Sequence, residues 1–150
     1  MINAYNLSYG DIVRYHGKYH YFIGLQKHRN TFGTERIEAI YDGPYMFYSL
    51  PNDPSVEEVE LTQEVIESIA QKIEFLGDGA YKAYICNEVV LYVDYKGIDL
   101  SINLPCFEVA ASPIHTLNEL QVMLGACDLW QHAKVHMWKR LTKTDLPYYV

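Results

Sequence analysis

The sequence predicts an α+β fold: an N-terminal small SH3-like β-structure, followed by a helix, a β-meander and a second helix. Three observations carry that reading. Short apolar, tyrosine-rich runs in residues 1–50 are separated by Gly, Asn, Asp and Pro, the punctuation of small sheets. Residues 98–104 alternate strictly, so Ile98, Leu100, Ile102 and Leu104 share one face of a strand while Asp99, Ser101 and Asn103 face water. Thr116-Leu117-Asn118-Glu119 is a capping box, in which a hydroxyl and a carboxylate each take a free amide of a first helical turn.

The elements follow in order. Gly10-Asp11 turns the chain into a strand at 12–16. Gly17-Lys18 reads as a type II′ turn, since Gly tolerates φ > 0 at its first position, and a strand at 19–25 follows. Further strands are expected at 35–41 and near 45–50. Pro51-Asn52-Asp53-Pro54 is the one boundary the composition suggests. The chain therefore reads as a single domain with a β-rich subassembly at 1–50, an α/β subassembly at 55–127 and a C-terminal extension at 128–150. A helix is expected over 62–76, capped by Thr62 and ended by Gly77, with Val65, Ile66, Ile69, Ile73 and Leu76 as its apolar stripe. Strands at 81–86 and 89–95 join at Asn87-Glu88, and Lys96-Gly97 leads into 98–104. Residues 107–111 suit one more strand. The helix starting at Thr116 carries Leu117, Leu120 and Leu124, with Gly125 at its end. Residues 129–141 fit both periods and are read as a strand or extended arm.

The chain has 150 residues, 49% hydrophobic and 21% charged, the balance of a globular protein. Its net charge of −7 is uneven: +1 in residues 1–50, −8 in 51–100 and 0 in 101–150. That distribution argues against non-specific nucleic-acid binding. Cys86, Cys106 and Cys127 are odd in number and contain no CxxC pair, which fits a reducing compartment. No run approaches about 18 apolar residues, and Met1–Tyr5 does not open a secretory signal. The expectation is a cytoplasmic protein without a membrane partner.

The order of motifs resembles a large group of small proteins from phages and mobile elements of the Bacteroidetes. The pieces are Leu7-Ser8-Tyr9-Gly10-Asp11, a Tyr-rich hairpin at 15–21, the acidic helix start Leu61-Thr62-Gln63-Glu64, the meander at 81–104, and His115-Thr116-Leu117-Asn118-Glu119-Leu120. The likeness spans about residues 7–127. The helix at 116–124 lacks the group's aromatic positions, and residues 130–150 run past its usual end. The resemblance implies a phage-like origin, hence the host cytoplasm, and supplies no catalytic residue. It implies a non-enzymatic accessory protein that binds and neutralises a host defence component, either a protein or a nucleotide-type signal. A structural or assembly protein of a phage particle and a small phosphodiesterase-like enzyme are the alternatives.

Two segments combine aromatic faces with cations, the pairing that holds phosphate-bearing bases. One is the hairpin carrying Tyr15, Lys18, Tyr19 and Tyr21; eight of the 14 tyrosines lie in residues 1–50. The other is residues 130–143, with Trp130, Lys134, Trp138, Lys139 and Arg140 and no acidic residue after Asp128 until Asp145. These nine residues are the expected ligand contacts, with Arg140→Ala and Trp138→Ala expected to weaken binding and leave the fold intact. There is no P-loop, GxGxxG or GxSxG, and the pair His132 and His136 lacks the Glu of HExxH. No catalytic residue, metal or cofactor is assigned. Exposed sheet edges and abundant aromatics predict a homo-oligomer, a dimer being the commonest.

Overall fold

The computed structural model describes residues 2–29, 31–127, 129 and 134–147. Among the described residues there are two five-stranded antiparallel sheets and three α-helices, an α+β architecture made mostly of strands. The chain divides into two compact units, residues 1–59 and 60–150.

The first unit holds β1 (Ile12–Tyr15), β2 (Lys18–Arg29), β3 (Glu35–Asp42), β4 (Phe47–Ser49) and β5 (Val56–Glu57), in the order β4-β3-β2-β1-β5. The first hairpin corrects the expected turn. Tyr15 pairs with Lys18, so the turn residues are His16 and Gly17, with φ of 49° and 75°. Two consecutive positive φ values make a type I′ turn, whose twist suits a hairpin and in which His is a tolerated left-handed residue. A bulge between Phe22 and Gly24 bends β2 as it crosses β3. Inside, Phe47 is stacked between Tyr15 at 3.9 Å and Tyr41 at 4.8 Å, over Val13, Phe22, Ala39 and Val56. Tyr41 and, in part, Tyr15 thus belong to the core, whereas Tyr5, Tyr45 and Tyr48 are exposed.

The second unit opens with α1 (Gln63–Ile69). Thr62 caps it, its hydroxyl accepting the Val65 N–H at 3.2 Å. The helix expected over 62–76 stops halfway: Ala70 is extended, and residues Lys72–Gly77 form β6. Ile73 and Phe75 favour strands, and pairing Lys72–Gly77 with β7 supplies the hydrogen bonds a longer helix would have made internally. Val65, Ile66 and Ile69 are buried as the stripe requires, whereas Leu76 is exposed and Gly77 lies beside a bulge at φ 92°.

The meander continues through β7 (Ala80–Cys86), β8 (Val89–Asp94), β9 (Gly97–Asn103) and β10 (Glu108–Ala111), in the order β10-β9-β8-β7-β6. Ala83, Leu91 and Leu100 fall in one register row, with Val89 and Ile102 in the next, and all five are buried. α2 (Leu117–Ala126) buries Leu117, Leu120 and Leu124. Thr116 accepts the Glu119 N–H at 3.2 Å, while the Glu119 carboxylate accepts from His115, one residue earlier than a simple capping box. Residues 134–141 correct the expected strand or arm: α3 (His136–Thr142) is a helix that packs on α1 and buries Met137 and Trp138. Tertiary burial of that face decides between the two periods. Among the described residues no helix is long and apolar enough to cross a membrane.

Leu91 has no exposed surface and lies mid-sheet between Ala83 and Leu100. Leu91→Ala is expected to cost about 2–5 kcal/mol in urea denaturation, through lost burial and a residual cavity.

Candidate functional site

The nine expected contacts divide between the two units. In the first, Tyr21 is buried, its hydroxyl 3.4 Å from the Asp42 carboxylate. Tyr15 is half-buried with one face on Phe47. Tyr19 is half-buried opposite Arg14 on β1, whose guanidinium carbon stands 5.4 Å from the ring centroid. Lys18 is exposed, with Nζ 5.9 Å from the Tyr45 ring. The hairpin's cations are thus already set against rings of the same unit, Arg14 against Tyr19 and Lys18 against Tyr45.

Its centre is a residue outside the nine expected contacts. His20 has no exposed surface and is ringed edge-on by Tyr15 at 5.9 Å, Tyr45 at 4.9 Å and Phe47 at 4.9 Å. Neither ring nitrogen meets the geometry of a full hydrogen bond among the described residues, though the backbone of Tyr45 and of Asp42 lies close enough to interact with the ring. Gly43 permits this packing: a Cβ there would come within 3.0 Å of the Tyr19 carbonyl and 3.1 Å of His20 Nδ1. Burial pushes the His20 pKa below 6.5, while nearby backbone of Tyr45 and Asp42 and the Asp42 charge act the other way, and Lys18 adds to the lowering.

In the second unit, Lys134 and Trp138 are buried, so Trp138 presents no open ring to a base. Trp130 lies outside the described residues. Lys139 is exposed and pairs with Asp145 at 3.0 Å. Arg140 has a structural role. One terminal nitrogen, Nη1, donates to the carbonyls of Ile69 at 2.8 Å and Ile85 at 2.9 Å. Ile69 is the last residue of α1, so the guanidinium satisfies a helix-end carbonyl at the negative end of the dipole and ties it to β7. Burial lowers the Arg140 pKa from its ordinary value. The expectation that Arg140→Ala leaves the fold intact is therefore replaced by one of lost stability.

Around Arg140 the structure forms a cleft of about 420 Å³ lined by Gln71, Cys86, Asn87, Glu88 and His136, among others. A second cleft of about 520 Å³, lined by Gln71, Lys72, Tyr84 and Asn87, shares Gln71 and Asn87 with it. Lys72 stands directly across from Tyr84 in the β6–β7 register, its Nζ 5.7 Å from the ring centroid, and the Tyr84 hydroxyl donates to Glu74 at 3.0 Å. That hydrogen bond, more than anything else, raises the Tyr84 pKa. Burial likewise raises Cys86, which keeps the thiol protonated and a poor nucleophile. Among the described residues no group of three or more His, Cys, Asp or Glu gathers to hold a metal.

Of the expected contacts that lie among the described residues, the structure places only Arg140 at these clefts. Gln71, Lys72, Tyr84 and Asn87 escaped the sequence reading because the helix expected over 62–76 puts Gln71 and Lys72 on a solvated helical face. The break at Ala70 turns them toward the sheet. A usable signal was present: the β-branched Ile73 and the aromatic Phe75 favour a strand over a helix.

Two outcomes follow. Arg140→Met is expected to lower stability by about 2–3 kcal/mol in urea denaturation, because two carbonyls lose a charged donor. For His20 the folded pKa lies below the unfolded value, so the unfolded chain binds more protons between the two. Stability present above pH 6.5 is then lost as pH falls from 6.5 toward the folded pKa. Thermal melts from pH 8 to 5 should fall more steeply for the native chain than for His20→Phe; parallel curves would contradict this.

Comparison of the chain with protein-family models, curated proteins and solved structures finds no match.

Proposed function

We propose that this chain is a non-enzymatic phage accessory protein that neutralises a host defence component, and that the component is a nucleotide-type signal held in the paired clefts of the second unit. The observation that carries the reading is the residue set around them. Lys72, His136 and Arg140 offer cationic or proton-donating groups, and Gln71 and Asn87 offer amides that can read a base edge. Tyr84 offers an aromatic face for stacking. Burial raises the Cys86 pKa, so that side chain stays a thiol. Free thiols at Cys86, Cys106 and Cys127 agree with a reducing host cytoplasm.

The first unit is read here as SH3-like. The order β4-β3-β2-β1-β5, in which the last strand returns beside the first, supports that reading. Its aromatic hairpin then serves as packing around His20 rather than as the ligand face.

Calorimetric titration with a panel of cyclic and linear nucleotides tests the proposal. A binder present at 100 times its Kd also raises apparent stability by about 2.7 kcal/mol. Tyr84→Ala is expected to weaken binding about 5- to 150-fold, equivalent to about 1–3 kcal/mol of stacking, and Lys72→Ala to weaken it in a salt-dependent way. Absence of heat and of thermal shift with every nucleotide would overturn the reading.

A further inference from the structure

The second sheet ends in β6, which pairs with β7 on one side and with no described strand on the other. Natural edge strands are usually short, covered or bulged, because an open edge is a template for another strand. β6 is bulged only at its end, between Phe75 and Gly77, and carries Phe75 at 73% and Leu76 at 51% exposure. We infer that β6 is a homodimer interface, at which two copies pair antiparallel about a twofold axis centred on Ile73 and join their sheets into one.

The charge pattern selects both the edge and the register. A twofold perpendicular to the sheet must set each residue against one of the same parity, because opposed side chains share a face. Centring on Lys72 or on Glu74 opposes two like charges. Centring on Ile73 sets Lys72 of each copy against Glu74 of the other, giving two opposite-charge pairs on one face and Ile73 against Ile73 on the other. Gln71 then faces Phe75 of the second copy, and the five paired residues end where the bulge between Phe75 and Gly77 bends the strand away. Glu74 is held for this role by the Tyr84 hydroxyl. The other edges lack such a pattern. β10 reads Glu108-Val109-Ala110-Ala111 with no cation, β4 reads Phe47-Tyr48-Ser49 with no charge, and β5 has two residues. Because Gln71 and Lys72 also line a cleft, this pairing places Phe75 of the second copy beside its mouth.

Sedimentation equilibrium without any nucleotide tests the interface independently of the ligand reading. The native chain is expected as a dimer of twice 17.4 kDa at tens of micromolar. Glu74→Lys and Lys72→Glu should each weaken dimerisation at least about tenfold, since each turns two attractions into two repulsions. The double variant carrying both reversals should restore it. Circular dichroism melts of the same samples separate loss of pairing from loss of fold. A native monomer, a dimer indifferent to the single reversals, or folded singles not rescued by the double variant would each overturn the proposal.

Discussion

The guanidinium of Arg140 reaches from α3 to two carbonyls, one at the end of α1 and one in β7, and the geometry of the second unit's clefts depends on that reach. A helix of seven residues such as α1 is too short to hold its own end. Its last carbonyl needs a donor, and Arg140 provides one without a further turn of helix. The chain is then free to leave α1 at Ala70 and run back as β6. The Gln71 N–H donates to the Tyr84 carbonyl at 2.7 Å, and Lys72 comes to lie across from Tyr84. Cation, aromatic ring and amides therefore share one neighbourhood because the helix stops where Arg140 can close it.

The first unit rests on a different contact. Phe47 lies between Tyr15 and Tyr41 in a three-ring stack, with His20 set edge-on against it. Edge-to-face and offset geometries suit the ring quadrupoles and bury large apolar area against the sheet. Burial drives the Tyr41 hydroxyl up to about 12, so it stays protonated throughout the physiological range. Burial disfavours the protonated imidazole at the centre of such a cluster, since its charge would be desolvated among rings. The acid sensitivity of this unit is thus built into the packing that forms it.

Much of the fold was legible in the sequence. The alternation of 98–104 becomes β9 with Leu100 and Ile102 buried, and both Thr caps sit where their hydroxyls were expected. The failures share a cause. Residues 62–76 satisfy a 3.6-residue period, yet their second half pairs with β7, and 134–141 satisfy both periods until burial of Met137 and Trp138 fixes a helix. Periodicity records which side chains are apolar, while the pairing partner decides the backbone. The site reading inherited that limit: clustered cations in sequence became a carbonyl clamp and a surface ion pair, and residues from 71–72 and 84–87 met in space instead.

The central claim, that Arg140 is the clamp on which the cleft is built, is tested most directly by residue-resolved hydrogen exchange in the native chain and in Arg140→Met. Loss of protection should concentrate at the amides of Ala70, which donates to Ile66, and Gln71, which donates to Tyr84. The Leu120 amide, which donates to Thr116 in α2, should change far less. Unchanged protection at Gln71, or an equal loss at Gln71 and Leu120, would contradict the account.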